Sequence, residues 1–264
     1  MSNKIIALVT GASSGIGFEM ADLLADKGYH LLLVSNDEKG LENAQKSLTP
    51  KGVEVDVLCL DLARPNAAQE LVQFCDEQAF EVEVLVNNAG FFFFGEIVDS
   101  DAVRAQKMVD LHILTVSQLC ILLGNKMRKR QKGYILNTSS IAAMKPFPGI
   151  GFYAASKAFI TTFTRALRYE LKVYGIHVTS LNPGATATNL YDSMNINIEL
   201  GKKVGVMLPP RFVAKKGIQG LFRNKFMVVP GISTKIMLFF AKLTPQWLIY
   251  IIRKHNPLLK PLKF

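Results

Sequence analysis

Tyr153 and Lys157 stand four residues apart at the head of the apolar run Ala158–Leu171. On a helix that spacing sets both side chains on one face, about 6 Å apart along the axis. A phenol with a pKa of about 10 is a poor base at neutral pH, but a fixed ammonium within roughly 4–6 Å favours the phenolate. A shift of about three units takes about 4 kcal/mol of differential stabilisation, most of which one cation in a partly dry pocket can supply. The pair thus has the chemistry of a general acid and base, although so short a pattern also arises by chance. Ser140 lies thirteen residues before Tyr153, just past the strand-like Tyr134–Thr138. A hydroxyl there can donate to a substrate carbonyl while Tyr153 delivers a proton; the plainer alternative is a hydrogen bond to the following loop. No G-x-S-x-G elbow surrounds Ser140, which argues against a nucleophile.

The elements that must position these residues read as alternating strands and helices. Ile5–Thr10 is an unbroken apolar run suited to a strand buried on both faces. It feeds the turn Gly11-Ala12-Ser13-Ser14-Gly15-Ile16-Gly17 and then the amphipathic helix Phe18–Lys27. Strand, glycine turn and helix is the order a dinucleotide site needs, because glycines admit the pyrophosphate and the first helical N–H groups bind it. The spacing T-G-x-x-x-G-x-G is neither a Walker A loop nor G-x-G-x-x-G.

Further strands are expected at His30–Val34, Val53–Leu60, Val82–Val86 and His177–Leu181, and helices at Gly40–Leu48, Asn66–Gln78 and Ala102–Lys126. The end of the second strand, Ser35-Asn36-Asp37, is where a doubly wound fold meets the adenosine ribose. Asp61 and Leu62 would lie beside the adenine. Asn87-Asn88-Ala89-Gly90 ends another strand, and Pro183, Gly184, Thr186 and Thr188 fall at the same sheet edge. The four aromatics Phe91–Phe94 follow; one or two of them could wall a hydrophobic cleft, the rest packing in the core. The fold class is therefore α/β, a doubly wound, mainly parallel Rossmann-type sheet with helices on both faces, over one domain of residues 1–264.

Composition narrows the function. The chain has 264 residues, 49% of them hydrophobic, enough for one large core. Three cysteines with no C-x-x-C spacing argue against a disulfide framework or a metal site. Met1–Lys4 runs directly into the first strand without an apolar leader, so a cytoplasmic location is expected. The net charge of +10 is unevenly distributed: after Glu199 there are thirteen Lys and Arg and no acidic residue. No nucleic-acid motif accompanies that charge.

Taken together, Thr10-Gly11-x-x-x-Gly15-Ile16-Gly17, Asp61, Asn87-Asn88-Ala89-Gly90, Ser140, Tyr153-x-x-x-Lys157 and Pro183-Gly184-x-x-x-Thr188 resemble the short-chain dehydrogenase/reductase family, in the family's order across most of residues 4–190. The texture is similar to a branch of generic ketone, 3-ketoacyl and 17β-hydroxysteroid reductases. The resemblance implies an NAD(P)-dependent oxidoreductase: Tyr153 as proton donor or acceptor, Lys157 lowering its pKa and binding the nicotinamide ribose, Ser140 polarising the carbonyl. It implies that Gly11, Ser13, Ser14, Gly15, Ile16, Gly17, Asn36, Asp61, Leu62, Asn88, Ala89, Gly90, Pro183, Gly184, Thr186 and Thr188 hold the cofactor. The family's NAD-selecting Asp would fall at Ser35, so NADP(H) is favoured slightly over NAD(H), although Asn36 replaces the Arg of many NADP-dependent members. His112 falls where the family carries a relay Asn, which leaves open an altered proton relay. The alternative is a cofactor-binding protein with impaired catalysis, acting as an interaction or regulatory module.

Residues 189–231 are expected to hold a substrate lid, with Met194, Ile196, Ile198 and Leu200 as apolar contacts, followed by a surface helix at Lys215–Asn224. The extension 232–264 carries apolar clusters at Ile236–Phe240 and Trp247–Ile252, each too short to span a bilayer of about 20 apolar residues. They are expected to pack on the body or on another subunit of a homo-oligomer, with contact at a membrane interface as the alternative. The expected substrate is a small hydrophobic ketone, alcohol or acyl compound.

Overall fold

The computed structural model describes residues 4–188 and 207–255. Strands β1 (Lys4–Thr10), β2 (His30–Ser35), β3 (Val55–Cys59), β4 (Phe80–Asn87), β5 (Gly133–Thr138), β6 (Ile176–Leu181) and β7 (Met227–Val228) form one sheet in the order β3-β2-β1-β4-β5-β6-β7. Every pairing is parallel. The order reverses direction between β1 and β4, and at such a switch point the strand ends part to leave a crevice.

The helices are α1 (Gly15–Ala25), α2 (Glu38–Leu48), α3 (Ala67–Glu77), α4 (Ala102–Val109), α5 (Val116–Arg130), α6 (Gly151–Leu171), α7 (Pro210–Phe222), α8 (Ile232–Leu243) and α9 (Gln246–His255). The pleat sends alternate residues of a strand to opposite faces. On β1, Ile6 and Leu8 therefore join one core with α3, α5 and α6, while Ala7 and Val9 join the other with α1, α2 and α7. Apolar side chains are needed on both sides of the sheet, which is why these strands read as continuous hydrophobic runs.

Two expectations need correction. The helix expected at Ala102–Lys126 is broken into α4 and α5 by a π turn at Asp110–Thr115 and runs on to Arg130. The surface helix expected at Lys215–Asn224 has other bounds: α7 runs from Pro210 to Phe222 and buries Val213, Ala214, Ile218 and Leu221 against α1 and the sheet. Lys215 and Lys216 occupy its outer side. Gly217 allows the close approach, since a Cβ there would lie 3.0 Å from Leu181 and 3.3 Å from Met20.

The proposed lid contacts Met194, Ile196, Ile198 and Leu200 lie outside the described residues. Beyond them, the C-terminal clusters are covered on one side only, with Leu248 and Ile249 of α9 half-buried. Thr234 is buried and Leu238 and Ala241 are half-buried, whereas Ile236, Phe239 and Phe240 are exposed.

Candidate functional site

With one exception, the residues singled out for catalysis and cofactor binding line a single cleft of about 680 Å³ over the carboxyl edge of the sheet. The exception is Gly17. A Cβ on it would fall 2.1 Å from the Gly11 carbonyl oxygen, so this glycine permits α1 to pack under the turn rather than facing the cleft.

Gly11 and Gly15 adopt φ of +65° and +57°, a region that disfavours side chains. A Cβ on Gly11 would also meet the Ala89 backbone at 2.8 Å. Ser14 is the N-cap of α1, and its side chain makes no capping bond. The first N–H groups of a helix lack intrahelical partners and attract anions. A bare, glycine-lined helix start of this kind fits the pyrophosphate of a dinucleotide. Below the turn, Asn88 Nδ2 donates to the carbonyls of Thr10 (3.2 Å) and Gly11 (3.3 Å), and Thr10 Oγ1 accepts from the amides of Asn88 and Ala89. Asn88 therefore fixes the ends of β1 and β4 against each other.

At the end of β2, Ser35 Oγ donates to Ser13 Oγ at 3.0 Å. Asp37 is turned away: it caps α2 by accepting from the Gly40 amide at 3.0 Å and does not line the cleft. Asp61 does line it, and one of its oxygens accepts from the Ala63 amide.

The opposite wall is β5 and the first turns of α6. Lys157 Nζ donates to the Thr138 carbonyl at 3.0 Å and lies 5.6 Å from the centre of the Tyr153 ring. Ser139 Oγ donates to the Lys157 carbonyl (2.7 Å) and meets Thr161 Oγ1 (2.8 Å); Asn182 Nδ2 donates to Thr161 Oγ1 and to the Ser140 carbonyl. These bonds bolt α6 to the ends of β5 and β6, which sets the Tyr153 and Lys157 side chains relative to Ser140. Ser140 Oγ accepts from the Ala142 amide at 3.1 Å, the loop contact expected of a strand-end serine. Because that bond uses a lone pair, the hydroxyl proton remains to be donated. Burial pushes the Lys157 ammonium down from 10.5 to about 7.

His112 is fully buried on the π turn. Its Nε2 accepts from the Phe91 amide at 3.3 Å, which leaves Nδ1 as the protonated nitrogen. Nδ1 then donates to Ser156 Oγ at 2.9 Å, and Ser156 donates to the Tyr153 carbonyl at 2.8 Å. Burial first, and the nearby Lys157 second, hold the imidazole well below its ordinary pKa. A neutral ring with both nitrogens engaged is a strut between the loop after β4 and the turn that carries Tyr153. Gly90 makes room for it, since a Cβ there would stand 2.9 Å from Nε2. From the same π turn Thr115 Oγ1 donates to the Leu62 carbonyl at 2.8 Å.

Phe91 and Phe92 line the cleft, and Phe92 packs edge-on against Tyr153 with centroids 5.0 Å apart. Phe93 instead packs with Ala105 and Met108. Ser35, expected at the ribose end of β2, lines the cleft, whereas sequence reasoning missed Leu60, Ala63, Lys107, Leu111, Thr138 and Ser139 as lining residues. Those at strand ends were accessible from their position next to predicted ones; Lys107 and Leu111 carry no local signal.

A family model described as short chain dehydrogenase matches residues 5–199. A glycine betaine reductase of Emericella nidulans is 34% identical over 226 residues, which make up 84% of this chain and 18% of that protein. A very-long-chain 3-oxoacyl-CoA reductase of Anas platyrhynchos is 35% identical over 190 residues, 70% of this chain and 60% of that one. This chain thus spans only part of the length of either relative. Among solved structures, a short-chain dehydrogenase from Sphingobium yanoikuyae in complex with NADPH superposes with a TM-score of 0.79 at 27% identity, covering 96% of this chain and 97% of the other.

Proposed function

The chain belongs to the short-chain dehydrogenase family of NAD(P)-dependent oxidoreductases, and we propose that it interconverts a carbonyl and a secondary alcohol on a hydrophobic substrate with Tyr153 as the general acid and base. The observation that carries this reading is the convergence of Ser140, Tyr153 and Lys157 on the cleft that the Gly11–Ile16 turn also lines. When bound, a nicotinamide supplies or accepts the hydride. Ser140 donates its hydroxyl proton to the substrate oxygen, and Tyr153 gives up its phenolic proton to that oxygen in reduction and recovers it in oxidation. Lys157 in its ammonium form stabilises the phenolate that remains. With its pKa held near 7, both of its protonation states are populated at neutral pH. Phe91 and Phe92 exclude water and favour an apolar group next to the carbonyl. The relative that acts on 3-oxoacyl-CoA supports a ketone on an extended acyl chain as the class to try first.

The reading is tested by assaying a panel of 3-oxoacyl thioesters, steroids and small ketones with the wild type and Tyr153→Phe. Loss of a general acid and base lowers kcat by about 10²–10⁴-fold, with cofactor binding retained. Equal turnover by the two proteins would reject the assignment.

For the cofactor we favour NADP(H). No carboxylate at the end of β2 faces the cleft, since Asp37 caps α2, so no negative charge there repels a 2′-phosphate, and Ser35 and Asn36 offer only neutral polar groups to the ribose. Fluorescence titration should give tighter binding of NADPH than of NADH, and Ser35→Asp should reverse the order. Tighter NADH binding by the wild type would overturn the choice.

A further inference from the structure

The pair α8–α9 leaves an apolar surface uncovered. On α8 the inward side is Thr234, Leu238 and Ala241, and the outward side carries Ile232, Ile236, Phe239, Phe240 and Leu243, at the three- and four-residue spacing of one helical stripe. Phe239 and Phe240 are 60% and 64% exposed and pack edge-on against each other, far from the usual fate of two adjacent phenylalanines. After a bend of 105°, α9 exposes further large apolar and aromatic side chains: Trp247, 63% exposed, Tyr250 and Ile251. At about 18 and 15 Å the two helices are too short to cross a bilayer, but each can lie along its surface.

Charge decides what covers this surface. Lys235 and Lys242 are exposed beside the α8 stripe, and Arg253 and Lys254 are exposed at the end of α9. The whole sequence from Leu200 onward has thirteen basic residues and no acidic one. A two-fold contact between copies would set the same patch against itself, lysine against lysine, with no carboxylate on either helix to pair them. An anionic lipid layer satisfies both features, taking the apolar side chains into the acyl boundary and the ammonium groups among phosphates. Trp and Tyr are side chains suited to that boundary, with an apolar body and a polar tip.

The pair is fastened to the body at Gly184, which lines the cleft, and at two residues close in sequence to lining ones. Thr234 packs against Gly184, where a Cβ would approach it to 2.9 Å; Lys145 Nζ donates to the Thr244 carbonyl at 3.0 Å; Arg253 pairs with Glu96 at 2.7 Å. Gly184 lines the cleft, Lys145 follows the short turn after Ser140, and Glu96 lies four residues past Phe92.

We propose that α8 and α9 form a membrane-docking surface that seats the mouth of the cleft on an anionic lipid bilayer. The inference stands independently of the reaction assigned above.

Flotation of the full chain with vesicles of phosphatidylcholine, with and without phosphatidylserine, tests it. The wild type should float with the anionic vesicles and largely stay behind with the neutral ones. Lys235→Glu with Lys242→Glu should weaken partitioning by about tenfold or more per lysine, and Phe239→Asp with Phe240→Asp should abolish it. Both double variants change exposed side chains and should keep the wild-type thermal transition. Absence of wild-type flotation overturns the proposal, as does flotation that both variants retain. A wild-type dimer that Phe239→Asp with Phe240→Asp splits, with no vesicle binding, overturns it in favour of a second copy.

Discussion

The wall formed by β5 and α6 and the pair α8–α9 are built on opposite terms. Along the first, Ser139, Thr161, Asn182 and Lys157 exchange hydrogen bonds across two strand ends and a helix, and His112 braces the Tyr153 turn from behind. Along the second, one helix side packs on the body and the other presents phenylalanines and a tryptophan to the outside. Buried polar networks cost much when a single partner is removed, whereas an exposed apolar side chain contributes little to the fold. One region is therefore fixed by internal partners, and the other awaits an external one.

The largest test of that contrast is the pH dependence carried by Lys157. Its folded pKa of about 7 lies below the 10.5 of an exposed lysine, so between these values the unfolded chain binds one more proton than the folded chain. Stability from this group therefore rises with pH across that window, by about 1.4 kcal/mol per unit, and is lowest below pH 7. Denaturant melts of the cofactor-free wild type and Lys157→Met at pH 7 and pH 9 should diverge in that direction. Parallel curves would mean that the amine is better solvated than its surroundings imply.

A smaller effect should follow from cutting the brace. His112→Leu leaves the Phe91 amide without its acceptor and Ser156 without its donor, at about 2 kcal/mol of stability, read from the denaturant midpoint. His112→Asn restores a donor and an acceptor and should keep a working reductase with most of the wild-type kcat. If Asn is as damaging as Leu, the polar bridge is not what His112 provides. The smallest effect is expected on the exposed surface, where Phe239→Ser should change stability by less than about 0.5 kcal/mol. A larger loss would show that α8 is part of the core after all.

The sequence exposed these regions unequally. Parallel strands buried on both faces read as apolar runs, and the glycine turn and the Tyr153–Lys157 spacing are local patterns, so the sheet and most of the cleft were legible. The π turn was not, because one extra residue per turn leaves no mark on composition. At α7 the stripe Val213, Ala214, Ile218 and Leu221 marks a buried side by its period, and it begins before the start expected at Lys215. The clusters in α8 and α9 are apolar on both sides, and periodicity alone cannot say which side meets the protein. Gly17 matched a motif, but only the backbone geometry distinguishes a glycine that faces a ligand from one that lets two segments touch.

The π turn at Asp110–Thr115 also constrains how this chain can change its length. It points Thr115 at the loop after β3, and His112 at the loop after β4 and at α6, while Leu119, Leu123 and Met127 downstream stay in phase with the sheet. Deleting one residue there would rotate one side against the other by about 100°, throwing either the brace or the α5 stripe out of alignment. Insertions and deletions that the surface loops absorb would here be transmitted along the whole helix, which makes this short bulge the timing element of the domain.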